Sequence, residues 1–181
     1  MSCGPSNRRF ADEDGLHSIG KAQGIMKYLG LALLFLLVFG RWLIVRHRGH
    51  RFSHWWHKGV KAYDASTWVA AEAAFRECVR MEPIAAPARR LLGATLARRN
   101  KLAEAEEHFR AGAQLEPRNA GGYLDLGFFL ASYVPDRVED AIEAFAQAVA
   151  CSPQARTVLA SESRLAPAIR EHPKFRALLQ E

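Results

Sequence analysis

The residues best suited to chemistry lie early in the chain. His47, His50, His54 and His57 are spaced by three, four and three, the rhythm that places side chains on one face of a helix. Imidazoles aligned in this way could bind zinc or copper, or act as a proton sensor. No Cys, Asp or Glu stands among them to complete a ligand set, and donor type and number therefore argue against a metal. The competing reading is a basic, aromatic stretch at a membrane surface. There Arg46, Arg48 and Arg51 meet anionic lipid, while Trp55 and Trp56 sit at the interface or pack on the domain that follows.

Elsewhere the chemistry thins out. Cys3, Cys78 and Cys151 are too few for a disulfide framework and read as ordinary thiols. His108 and His172 stand alone and read as surface residues. No nucleophile with an adjacent base, glycine-rich phosphate loop or zinc signature occurs in the sequence. The expectation is a protein that is not an enzyme and uses no cofactor, no metal and no small-molecule substrate.

Charge narrows the partners further. The 181 residues carry a formal net charge of +6. Residues 1–61 hold ten Lys and Arg against three acids, whereas residues 62–181 hold fifteen against sixteen. A near-neutral C-terminal two thirds gives nucleic acid nothing to follow.

Residues 25–45 are almost wholly apolar, with Lys27 and Arg41 near the ends and Tyr28 and Trp42 as aromatic flanks. At ~1.5 Å per helical residue, a run of this length can cross a bilayer core of about 30 Å, and Arg41 can extend to the headgroups. A signal peptide cut after Gly40 is the alternative, but Trp42 to Val45 continue the apolar run beyond that point. More basic residues follow the span than precede it, which places the C-terminal side in the cytoplasm by the positive-inside bias. Residues 1–24 read as disordered, and Met26 could be the true start.

The rest of the chain is organised by repetition. Gly59, Ala71, Phe75 and Pro83 recur 34 residues later as Gly93, Ala105, Phe109 and Pro117. Gly127 keeps that spacing, but Ala141, Phe145 and Pro153 fall 36 residues beyond their counterparts, so the third copy carries a two-residue insertion. A fixed period of this size marks stacked units, none of which can bury its apolar face alone. The small residues allow two helices to approach closely. The phenylalanines fill the space between adjacent pairs, and the prolines end each second helix. Asp136 with Glu139 reads as a capping pair that opens the second helix of the third unit.

These residues resemble the tetratricopeptide repeat (TPR) family, whose unit favours Leu at position 7, Gly at 8, Ala at 20, Phe at 24, Ala at 27 and Pro at 32. Lys58, Ala62, Arg89 and Gly112 depart from its pattern. The resemblance implies an all-α, right-handed superhelical stack of three helix hairpins over residues 52–85, 86–119 and 120–155. A transmembrane helix at 25–45 and a basic linker at 46–51 would precede it. Residues 156–181 would cap it, with a helix from Arg156 to Arg164 that Pro167 cuts short and a last one from Pro173 to Leu179.

Concave positions carried over from the family name a groove. Trp56, Val60, Tyr63 and Asp64 come from the first unit, Arg90, Ala94, Ala97 and Arg98 from the second, and Leu124, Phe128, Ala131 and Ser132 from the third. The family's carboxylate clamp wants Lys and Asn where Trp56 and Val60, Arg90 and Ala94, or Leu124 and Phe128 stand here, so that version is not expected. A groove with apolar walls and two arginines suits an amphipathic helix or extended peptide. The expected function is a membrane-anchored adaptor or scaffold that binds a protein segment, in a bacterial inner membrane with the repeats in the cytoplasm. The alternatives are an exported periplasmic assembly factor and a metal- or haem-handling protein using the histidine face.

Overall fold

A computed structural model of the chain describes residues 33–42 and 49–180. Residues 1–24 and the possible start at Met26 lie outside the described residues, as do both ends of the expected span at 25–45 and His47. The chain divides into two units, residues 1–49 and 50–181.

In the first unit, residues 33–42 are helical. Leu33, Leu34, Phe35, Leu36, Leu37 and Val38 are each about 60% exposed or more, and Phe39 and Trp42 nearly half. Among the described residues no helix is long and apolar enough to cross a membrane.

The second unit is built from helix pairs. Residues 49–64 are helical (α1), so helix already includes Gly49 instead of waiting for Phe52, and it takes in the described end of the expected linker. Gly49 has open space around it and costs a helix only about 1 kcal/mol against Ala. There follow α2 (Trp68–Met81), α3 (Ala86–Arg98), α4 (Leu102–Leu115), α5 (Ala120–Tyr133) and α6 (Val138–Cys151). Three shorter helices close the chain: α7 (Gln154–Ser161), α8 (Pro167–Arg170) and α9 (Pro173–Gln180). Each second helix buries its small residues and Phe at helical spacing, as in Ala71, Ala74, Phe75 and Cys78 of α2 and Ala141, Ala144, Phe145 and Ala148 of α6.

Each phenylalanine serves two contacts. Its ring lies over the glycine of its own unit, where a Cβ on Gly59 would come within 2.7 Å of Phe75 and one on Gly93 within 3.1 Å of Phe109. Phe75 also packs on Trp56 of its own unit, while the other side of Phe109 and of Phe145 meets a neighbouring element. Phe109 packs on Phe129 of the next unit with ring centroids 5.1 Å apart, and Phe145 on Phe175 of the C-terminal helices at 5.9 Å.

The corners show why the third unit differs. Ser66 and Asn100, 34 residues apart, both adopt left-handed backbone, with φ of 56° and 58°. The amide of Thr67 reaches the carbonyl of Ala62, and that of Lys101 the carbonyl of Leu96, each across six residues. The amides of Ser66 and Asn100 reach Tyr63 and Ala97, completing a Schellman closure at both corners. The equivalent residue of the third unit is Val134, whose β-branched side chain opposes that backbone. Val134 stays at φ −134°, and the turn through Pro135 and Asp136 replaces the tight corner.

Two expectations about termini are corrected. Asp136 does not cap α6: Arg137 holds the N-cap position without a side-chain hydrogen bond, and its guanidinium binds Asp140 and Glu106 instead. Pro167 does not cut α7 short, because α7 has already ended at Ser161; Pro167 opens α8, where its missing N–H costs nothing. Pro83, Pro117 and Pro153 each follow the last residue of α2, α4 and α6 by two. In α9 Phe175 is buried and Leu178 and Leu179 are half-buried.

Candidate functional site

The first helices of the pairs and the loop after α7 enclose a groove of about 700 Å³. Its floor is α3, where Ala94 and Ala97 are small enough to leave the space open. Its walls are aromatic: Tyr63 from α1, Phe109 from α4, and Phe128, Phe129 and Tyr133 from α5. Phe129 stacks on Tyr133 at 5.7 Å, and Phe128 stands edge-on to Phe145 at 5.2 Å, so these rings are held by the core behind them. Glu162, Arg164 and Leu165 close one end.

Three arginines reach this space, and each is held differently. Arg90 runs its stem through a gap made by two glycines. A Cβ on Gly112 would meet Arg90 Cγ at 2.8 Å, and one on Gly121 would meet Nη1 at 3.2 Å. The departure from the repeat pattern at Gly112 thus makes room for the side chain that crosses it. Arg90 Nε lies 2.8 Å from Oδ2 of Asp125, without the alignment of a hydrogen bond. Burial pushes the Asp125 carboxyl above its ordinary range, and the charge of Arg90 pulls the other way.

Arg98 sits at the opposite wall. Its guanidinium lies over the ring of Trp68, 5.7 Å from the centroid, and Trp68 in turn stands edge-on to Tyr63 at 5.3 Å. Among the described residues no carboxylate faces Arg98 in an ion pair. Arg164 folds back on Glu162, donating from Nε at 2.8 Å and from its backbone amide at 3.1 Å. Those bonds hold the Glu162 carboxyl down at about 2.

The residues named from sequence divide. Tyr63, Arg90, Ala94, Ala97, Arg98, Phe128 and Ser132 line the groove together. Trp56 does not: it packs edge-on against Phe75 at 6.0 Å and borders a separate niche with Phe52, Ala85, Pro87 and Ala88. Val60, Leu124 and Ala131 are half-buried against the core, and Asp64 is exposed outside the groove. Asp125, Tyr133, Glu162, Arg164 and Leu165 were not named. Asp125 stands one residue beyond a concave position, and the last three come from a loop with no repeat register.

Histidine chemistry finds less support. His50, His54 and His57 are exposed on α1, and among the described residues no group of three His, Cys, Asp or Glu could hold a metal ion. His47 lies outside the described residues. Contrary to expectation, neither His108 nor His172 is a free surface residue: both are half-buried, and His172 Nε2 lies 3.1 Å from Glu139.

No family model matches the chain, and no curated protein matches its sequence. Solved structures do. The TPR2B domain of yeast Sti1 in its pHsp70 complex superposes with a TM-score of 0.56 at 17% identity, covering 72% of this chain and 98% of the other. The Arabidopsis OM64 TPR domain gives 0.55 at 18% identity, covering 74% and 98%. The first TPR of Spaghetti (RPAP3), bound to the HSP90 peptide SRMEEVD, gives 0.54 at 14% identity, covering 72% and 92%. Likeness at these identities shows the fold, and the fold is the all-helical superhelix of tetratricopeptide repeats.

Proposed function

We propose that the protein is a non-enzymatic adaptor whose groove binds a segment of another protein, and that residues around 33–42 anchor it in a membrane. The groove carries the first half of this reading. Its aromatic walls over a floor of Ala94 and Ala97 suit one bulky apolar side chain, and Arg98 is a cation without a carboxylate opposite it. Similar structures caught with a pHsp70 or HSP90 peptide support a groove of this kind as a peptide site. The clamp residues that the family uses for acidic C-termini are replaced here, and two of the three groove arginines already face acids of the chain. The favoured ligand is therefore a mainly apolar segment with one acid that meets Arg98.

Exposure carries the second half. A helix whose run from Leu33 to Phe39 is apolar on every side and largely uncovered has no favourable place in water. The basic residues after it favour a single-pass anchor with the repeats in the cytoplasm, in an inner membrane of bacterial type.

A photocrosslinking residue at Ala94 or Ser132 should join a protein partner in native membranes, and one at Glu143, exposed on α6 away from the groove, should not. Arg98→Glu should reduce the Ala94 crosslink at least tenfold without loss of helicity. Equal crosslinking from Ala94 and Glu143 would reject the groove.

A further inference from the structure

We propose that the outward face of α1 docks on an anionic membrane surface. Helix α1 is sorted by face. Phe52, Trp55, Trp56, Gly59, Ala62 and Tyr63 turn inward and are half or fully buried, whereas His50, Arg51, His54, His57, Lys58 and Lys61 are all exposed. At 3.6 residues per turn those six residues fall in one continuous arc.

The arc is unbalanced in charge. No Asp or Glu occurs from residue 15 to residue 63; Asp64, the first acid after that gap, stands exposed on the last turn of α1 at the edge of the arc and leaves three Lys and Arg against one acid there. Among the described residues Arg51, Lys58 and Lys61 form no ion pair, although most other charged clusters of the repeat unit do. Glu77 of α2 is near enough to feel Arg51, but it is already bound by Arg80. Lys58 Nζ instead sits 4.6 Å above the ring of Trp55, which leaves an amphipathic edge of indole and ammonium beside the arc.

Charge complementarity selects an anionic occupant, and the sequence selects lipid. The acid-free run continues back through the apolar helix at 33–42, and only residues 43–49 join that helix to the arc. A bilayer that accepts the apolar helix would present its headgroups to a chain whose next 21 residues, 43–63, hold no acid. Each Lys or Arg near such a surface weakens dissociation about fivefold. The proposal rests on the anchor reading above, and its test separates the two.

The full chain, incorporated into vesicles, is treated with an amine-reactive reagent and each lysine is read by mass spectrometry. Lys174, exposed but paired with Glu139, serves as the internal reference, with its own salt response read in neutral vesicles, so chains facing the lumen cancel. With about one third anionic lipid, labelling of Lys58 and Lys61 relative to Lys174 should fall at least fivefold, and it should recover near 1 M salt, where charges are screened within about 3 Å. In neutral phosphatidylcholine vesicles, or with inorganic phosphate alone, both lysines should label fully. Arg51→Gln combined with His54→Gln and Lys61→Gln should keep the melting temperature and lose most of the protection at Lys58. Equal labelling in anionic and neutral vesicles would overturn the docking face while flotation with neutral vesicles still upheld the anchor. Protection that required an added acidic protein would also overturn it. Protection in anionic vesicles without flotation in neutral ones would uphold the face and reject the anchor.

Discussion

Glu72 is the charge on which the junction of the first two units depends, and Glu72→Gln isolates that dependence. The side chain is 2% exposed and lies on α2. It accepts from Lys101 Nζ at 2.8 Å and from the guanidinium groups of Arg76 and Arg99. Arg99 and Lys101 flank Asn100, so this one carboxylate ties α2 to the left-handed corner between α3 and α4. Burial alone raises its pKa, but hydrogen bonds from Lys101 and Arg99 and the charge of Arg76 outweigh burial and hold it below the ordinary carboxylate value. Glutamine keeps the shape and one acceptor but removes the charge. A hydrogen bond to a charged group contributes about 1.5–3 kcal/mol. The three cations are 46%, 29% and 37% exposed and can turn to water, so the loss should be about 2–3 kcal/mol and not the sum of three bonds. For a body of this size that lowers the melting temperature by roughly 6–15 °C. A carboxylate whose folded pKa is depressed stabilises above its unfolded value of about 4.3 and loses that stabilisation as pH falls through the lower folded value. The gap between wild type and variant, followed by circular dichroism, should therefore be widest at neutral pH and close on acidification below about pH 4. A loss under about 0.5 kcal/mol at neutral pH, or a gap indifferent to acid, would refute this reasoning.

Other outcomes follow from the same contacts. Gly127→Ala would bring a Cβ within 2.6 Å of Phe145 Cδ1 and should lower the urea midpoint by the equivalent of about 1–3 kcal/mol. Gly93→Ala, where the nearest atoms lie at 3.1 Å, should cost less. Asn100→Ala should destabilise by about 1 kcal/mol and Asn100→Gly should not, because φ is 58° there; equal effects of the two would exclude corner strain. Burial, aided by Glu82 and Glu77, pushes the Cys78 thiol up to about 11. A thiol reagent at neutral pH should therefore modify Cys78 only on unfolding and Cys151 beforehand; rapid labelling of Cys78 in the native state would count against its burial.

The packing of this protein was legible because it repeats. Glycine at 59, 93 and 127 and phenylalanine at 75, 109 and 145 answer one steric problem each time, a ring laid against a bare backbone, and a side chain with a single solution recurs at a fixed interval. Corners and ends were less legible. The identity of Ser66 does not announce a left-handed residue, and Asn100, which tolerates that backbone, suits turns and N-caps as well. They become informative beside Val134, which cannot take that backbone and stands where the two-residue insertion begins. Asp136 and Glu139 had the spacing of a capping pair, yet Arg137, bound to both Asp140 and Glu106, fixed the start of α6 elsewhere.

In the groove, family positions located side chains but could not give their state of engagement. Arg90 and Arg98 occupy equivalent-looking places on one helix, and by sequence either could meet a ligand's carboxylate. The difference is made by residues outside the concave register: Gly112 and Gly121 open a passage for Arg90, Asp125 meets it at the far side, and Trp68 takes Arg98 on its face. A ligand acid at Arg90 must compete with Asp125, whereas one at Arg98 displaces nothing of like charge. Asp125→Asn should therefore leave the wild-type affinity for a segment whose one acid meets Arg98 nearly unchanged and should strengthen binding in Arg98→Glu, where the freed Arg90 can take that acid, as read by titration with the crosslinked partner segment. If Asp125→Asn strengthens binding in the wild-type background, the ligand's acid meets Arg90 and the assignment to Arg98 fails.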